Sequence, residues 1–294
     1  MNDAFSRGHP AVNFLFFGFA IIFAMFFVHP LFLMISVFLS LSYYLLLKGR
    51  EGIKTIFGAL LFCGLLSLVN PLLNPLGDTV LFIYLGTRPF TLESLLYGIA
   101  TSGMFLTVIF WFSCYNSIMT GDKFIYLFGK GIPAISLVFS MVMRLVPNLQ
   151  RKILSITNAR ACVGKENAAT KMSRLQNGMT VLSVLSSWAL ESAITTADSM
   201  KSRGYGTGVR TVFPNYRIQK RDIFVLAVIG VSGTTLLIGM LHGATEIAYL
   251  PALQMPPLDI YTIIASMGYG ILLSIPCFLH IEEELVWHIL KLSI

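Results

Sequence analysis

Two arginines carry the most specific pattern in the 294 residues. Arg160 sits in Asn158-Ala159-Arg160-Ala161-Cys162-Val163-Gly164, and Arg203 sits in Lys201-Ser202-Arg203-Gly204-Tyr205-Gly206. In both, small residues flank the arginine and glycine follows closely, and the two arginines lie 43 positions apart. A guanidinium is a planar fork that pairs with carboxylates or with carbonyls at a helix end. On a narrow helix tip it suits docking into a groove of another protein. A plainer account also covers each arginine alone, because the helix dipole favours cations at helix C-termini. Two such tips on consecutive long helices weigh towards docking.

Other chemistry is largely excluded. The chain has no GxxxxGK[ST] for ATP, no HExxH, no DxDxDG calcium loop and no GxSxG nucleophile. No pair of aspartates sits on one helix face as a magnesium-diphosphate enzyme needs. His280, Glu284 and His288 fall on one helical face. They suit either a metal or an interfacial helix edge with an i,i+4 Glu–His contact, and we assign the edge. Cys63, Cys114 and Cys277 lie in apolar runs, Cys162 lies in a basic region, and no CxxC pair exists. No catalytic residue, metal or cofactor is therefore expected. The long apolar runs also lack ionisable residues, since Glu93, Asp222 and Asp259 stand at their ends. That argues against a proton relay and for an outside source of energy.

The elements that must position the arginines are those of a polytopic membrane protein. Hydrophobic residues make up 55% of the chain and charged residues 12%, against about 25% charged in soluble domains. Apolar runs at 12–28, 31–47, 55–70, 92–119, 222–242 and 259–281 read as six spans, the first retained rather than cleaved. His29-Pro30 separates the first two, Lys48 to Lys54 forms a basic loop, and Asn70-Pro71 closes the third. Thr79 to Leu85 reads as a short re-entrant or interfacial piece. With both termini inside, 20 of the 21 Lys and Arg fall on the cytoplasmic side and only Arg88 falls outside. Thirteen of them lie between Arg144 and Arg221, opposed there only by Glu166, Glu191 and Asp198. Anionic lipid headgroups and the positive-inside bias explain this stretch without nucleic acid.

Within that basic stretch the sequence predicts two long helices. The first spans about 134–161, with Pro133 in its first turn, Pro147 kinking it and Gly164 ending it. Its greasy first half gives way to Ile153 and Ile156 among basic residues, an interfacial pattern. The second spans about 175–203 and stops at Gly204. Ala189, Ala193 and Ala197 make a thin stripe along it, where two backbones can approach closely. The expected fold is all-α, with about six transmembrane helices plus two long cytoplasmic helices. Its divisions are N-terminal spans at 1–130, a cytoplasmic helical region at 131–221 and C-terminal spans at 222–294.

These motifs together resemble the transmembrane T component of energy-coupling factor transporters, a class of ATP-binding cassette system. Arg144-Leu145-Val146-Pro147 matches that family's R-x-x-P element. Ala159-Arg160-Ala161 matches the first of its two Ala-Arg-Gly-type motifs, with Ala161 where glycine is more usual. Ser202-Arg203-Gly204 matches the second, with Ser202 where alanine is more usual, and Asn70-Pro71 is also typical. The resemblance covers most of the chain and is strongest over 133–222. It implies a non-catalytic subunit of a prokaryotic cell membrane, with two ATPase chains each receiving one helix tip. Arg160 and Arg203 are the implied anchors. A small membrane-embedded subunit binds a vitamin or metal ion and is reoriented by the movement. The alternatives are a self-contained secondary transporter or channel, an intramembrane enzyme acting on lipid, and the permease of another ATP-driven system.

Overall fold

The computed structural model describes residues 5–74, 77, 79–84, 88–129, 133–163, 171–207, 216–245, 247, 249 and 259–292. In chain order its elements are α1 (Pro10–Phe26), α2 (Pro30–Lys48), α3 (Arg50–Leu73), β1 (Val80–Tyr84), β2 (Arg88–Thr91), α4 (Leu92–Ile118), α5 (Gly121–Gly129), α6 (Pro133–Cys162), α7 (Lys171–Ser202), α8 (Lys220–Leu241) and α9 (Ile260–Leu292). They form two compact units, Met1–Thr120 with Tyr216–Ile294, and Gly121–Asn215.

In the first unit the same device opens two helices. His9 and His29 each precede a proline, and each imidazole Nδ1 accepts the amide two residues on, at 3.2 Å from Ala11 and 3.4 Å from Leu31. Proline at the first helical position needs no amide partner and has its φ preset, so His-Pro starts both α1 and α2. Gly49, at φ 56°, then turns α2 directly into α3. The basic loop expected at Lys48 to Lys54 is thus mostly the first turn of α3. That helix also continues through Pro71 to Leu73, because a proline so near the end disrupts little of the ladder. Asn70 Nδ2 donates to Thr101 Oγ1 at 3.4 Å and links this end of α3 to α4.

The unit is not purely helical. Val80–Tyr84 pairs antiparallel with Arg88–Thr91, and Phe82 stacks on Phe90 at 4.6 Å between centroids. The re-entrant piece expected at Thr79 to Leu85 is therefore a strand over 80–84, with Leu85 outside the described residues. Val-Leu-Phe-Ile-Tyr is too short for a helix and rich in the branched and aromatic side chains that favour extended backbone. Glu93 fastens the hairpin to α4, its carboxylate accepting the Thr79 hydroxyl at 2.7 Å and the Thr79 amide at 3.2 Å.

An aromatic core holds α1, α2 and α4 together. Trp111 is fully buried and meets Phe16 at 5.6 Å and Tyr43 at 6.1 Å. Tyr269 of α9 donates to Ser36 Oγ of α2 at 3.0 Å. Among the described residues, α2, α3, α4, α8 and Ile260–Trp287 of α9 are long and apolar enough to cross a membrane. At 17 residues α1 is about 26 Å long, shorter than a hydrocarbon core of about 30 Å. Phe57, Leu61 and Leu65 lie exposed along α3, an apolar face of the kind that marks a membrane or protein contact. Five apolar helices with such faces are compatible with a multi-pass membrane protein.

In the second unit α5 packs on α6, with Phe124 against Phe139 at 6.1 Å. The helices α6 and α7 run 30 and 32 residues, and α7 has no fully buried residue.

Candidate functional site

Half-buried positions recur every three or four residues along α6, from Leu137 through Met141, Leu145, Lys152 and Ile156 to Arg160. A matching stripe runs along α7, from Asn177 through Val181, Leu185, Ser192 and Thr196 to Met200. This is the spacing that turns one face of a helix to a partner. Two contacts set the direction. Arg160 bonds to Asn177, and Lys152 Nζ lies 5.5 Å from the ring centre of Trp188. A higher number on one helix meets a lower number on the other, so the pair is antiparallel. Arg160 and Arg203 therefore stand near opposite ends. From Asn177 to Arg203 is 26 positions, about 39 Å at helical rise.

The two arginines are held differently. Arg160 Nη1 donates to the Asn177 carbonyl at 3.1 Å, and Nη2 donates to Asn177 Oδ1 at 2.7 Å. The fork is half-buried and occupied within the chain. Ala159 beside it is exposed and Ala161 half-buried. The helix closes at Cys162, and Gly164, the expected stop, lies outside the described residues.

Arg203 is the C-terminal cap of α7. The Tyr205 amide donates to the Met200 carbonyl at 3.1 Å and the Gly204 amide to the Lys201 carbonyl at 3.0 Å. With Gly204 at φ 72°, these are the two bonds of a Schellman cap. Glycine is needed there because other residues are strained in the left-handed region. Ser202 donates to the Asp198 carbonyl at 2.9 Å. Ser202, Arg203 and Gly204 are all exposed. The side chain of Arg203 has no hydrogen bond or ion pair among the described residues.

Pro147 lies inside α6, and its carbonyl accepts Arg151 Nε at 3.4 Å. Ala189 is half-buried, while Ala193 and Ala197 are exposed, one step round from the seam that faces α6. Among the described residues, no three of His, Cys, Asp and Glu gather as metal ligands. His280 is half-buried, Glu284 is exposed, and the side chain of His288 lies outside the described residues. The acids at the span ends have local tasks. Asp222 is buried, accepting the Gln219 amide at 2.9 Å as part of the capping box that opens α8, and the His9 amide at 3.2 Å.

Sequence reasoning missed one feature of this unit. A groove of about 450 Å³ lies between the first half of α6 and the last part of α7. Ser140, Arg144, Ser192, Thr195, Ser199 and Arg203 are among its lining residues. In the sequence Arg144 belongs to the R-x-x-P element and to the basic stretch; what places it in one groove with Arg203 is the antiparallel pairing, which no local spacing announces.

No protein-family model matches the chain, and no curated protein matches it either.

Proposed function

We propose that this chain is the transmembrane energy-coupling subunit of an ATP-driven micronutrient transporter, as its resemblance to energy-coupling factor T components implies. In this reading α1 joins the five longer apolar helices as a sixth span, and both termini face the cytoplasm. The helices α6 and α7 are the coupling helices. Two ATPase chains engage them, one near Arg160 and one near Arg203. ATP-driven closure of the ATPases shifts the helix pair, and the shift reorients a small membrane subunit that binds a vitamin or metal ion. This chain catalyses nothing itself.

The observation that carries the reading is the placement of two small-flanked arginines near opposite ends of one antiparallel pair, about 39 Å apart along α7. Two separate docking points are what two ATPase chains require. Apolar side chains left exposed on α7, among them Leu175, Met179, Leu182, Leu190 and Ile194, support it as surface for partner subunits. A secondary transporter or channel is less well supported, because Glu93 and Asp222 occupy first turns of their helices and bind local groups.

The test is affinity purification of the tagged full-length chain from its native membrane, with Arg160→Glu and Arg203→Glu beside the wild type. Wild-type protein should bring down P-loop ATPases and a small hydrophobic subunit. Each charge reversal should lower ATPase recovery about tenfold or more, the scale of losing an interfacial charge contact. Wild-type protein that purifies alone and moves substrate in liposomes without ATP would send the assignment back to a secondary transporter.

A further inference from the structure

The groove between α6 and α7 carries positive charge that no described residue balances. Arg144 and Arg203 both line it, and no acidic residue does among the described residues. Neither guanidinium has a side-chain hydrogen bond or ion pair among the described residues. On α7 the acids are Glu191 and Asp198, and neither is among the residues that line the groove. Two like charges facing one cleft repel unless an anion sits between them. Hydroxyls add to the demand. Ser140, Ser192 and Ser199 line the same groove, and none has a side-chain hydrogen-bond partner among the described residues. Leu137, Met141 and Met200 complete an apolar floor that would strengthen any ion pair formed above it.

The direction in which the groove opens selects the kind of anion. Ile135, Val138, Val142 and Val146 are exposed and recur on one face of α6. At about 100° per residue, Ser140 and Arg144 fall on roughly the opposite face. A phospholipid whose chains lay along the apolar face would have to pass its headgroup over the whole helix to reach the arginines. The charged groove is the polar face of an amphipathic helix, the face that suits a protein partner rather than lipid chains.

We propose that this groove is a socket for an acidic side chain of a docked ATPase, whose carboxylate is held between Arg144 and Arg203 with serine hydroxyls donating to it. The inference rests on the coupling-subunit reading and deepens it. Arg144 becomes a docking residue, and recognition at this end becomes insertion of a partner carboxylate into the chain rather than projection of one arginine out of it. A carboxylate accepts two forks at once, and each guanidinium brings five N–H donors.

The experiment uses the tagged full-length protein, purified from native membranes as Arg144→Gln, Arg144→Lys, Arg203→Gln and Lys201→Gln beside wild type. Co-purified P-loop ATPase is quantified by mass spectrometry, and size exclusion checks that each variant stays monodisperse. In parallel, a photo-crosslinking residue replaces Ser140, and the captured peptide is sequenced. The expected result is about tenfold loss of ATPase for Arg144→Gln and Arg203→Gln, and partial retention for Arg144→Lys. Lys201→Gln, beside the groove but outside it, should leave recovery near wild type. The crosslink should fall on an ATPase segment containing Asp or Glu.

If Arg203→Gln loses the ATPase and Arg144→Gln does not, the socket is overturned while the coupling-subunit reading stands. If Lys201→Gln loses as much as Arg144→Gln, diffuse charge is at work and the socket is again overturned. Capture of phospholipid at position 140 overturns it in favour of a lipid site. If wild type brings down no ATPase, the coupling-subunit reading fails and the inference falls with it.

Discussion

Replacing Asn177 by alanine separates the two roles open to Arg160. The arginine now donates to the Asn177 carbonyl at 3.1 Å and to Asn177 Oδ1 at 2.7 Å. It is either a staple that holds the start of α7 against α6, or an anchor for a partner that rests on Asn177 meanwhile. Asn177→Ala removes the shorter bond and leaves both the arginine and the backbone carbonyl. A hydrogen bond to a charged group contributes about 1.5–3 kcal/mol when well buried. Both residues are half-buried, so solvent screening brings the figure to about 1 kcal/mol. That predicts about fivefold more frequent local opening of the first turns of α7, read as faster amide hydrogen exchange from about Lys171 to Val181. The same variant should recover P-loop ATPase at or above the wild-type level, because the fork is released for its partner. Arg160→Gln should show the same faster exchange and lose the ATPase as well. If Asn177→Ala loses the ATPase as fully as Arg160→Gln, then Arg160 acts by stapling the helices and its assignment as an anchor is wrong.

Two further outcomes test the first unit. A Cβ at Gly98 would lie 2.5 Å from the Ser67 carbonyl oxygen, which is backbone and unable to swing aside. Gly98→Ala should therefore push α3 from α4 and destabilise the solubilised protein by about 1–3 kcal/mol, read as a lower unfolding midpoint, and an unchanged midpoint would refute that close approach. His29 sits in the α1–α2 connector, where burial holds its imidazole pKa below 6.5. The unfolded chain binds the proton more readily, so stability is fully present above pH 6.5 and falls as pH drops towards the folded-state pKa. His29→Asn, which keeps a capping acceptor without the titration, should flatten the midpoint-against-pH curve below about pH 6.5.

The two long helices α6 and α7 were legible because their boundaries are chemical. The sequence predicted 134–161 and 175–203, and the helices span 133–162 and 171–202. Pro133 and Gly204 are punctuation whose effect is local, and the Schellman bonds at Gly204 are the physical form of that stop. The seam between the helices was not legible in the same way. Ala189, Ala193 and Ala197 looked like the packing stripe, yet α7 carries apolar or small residues on several faces. The seam runs instead through Val181, Leu185, Ser192 and Thr196. Which stripe faces α6 depends on register, and register is set by partners far away in sequence. Arg144 and Arg203 are 59 positions apart, and no short-range pattern relates them. Around residues 80–91 the fault was different. An apolar run was read in terms of membranes, although its branched and aromatic residues favour strand, and the return strand Arg88–Thr91 is too polar and too short to announce itself.

The two arginine motifs look equivalent in sequence and are unequal in the folded chain. Arg203 is a cation without a side-chain partner among the described residues, on a glycine-closed cap, and Arg144 lines the same groove. Under the socket proposal a partner there meets a site already formed, and its carboxylate offsets the charge of both arginines. Arg160 is already satisfied, so a partner there must replace the Asn177 oxygens and gains only the difference between two sets of bonds. Under the coupling-subunit reading, docking at the Arg203 end should be the tighter and faster step. Docking at the Arg160 end should be linked to loosening of the first turns of α7. That linkage gives a physical route from ATPase contact to helix movement. The free energy released at Arg160 depends on whether α6 and α7 stay stapled, so a partner that binds the free fork better shifts the pair towards its opened state.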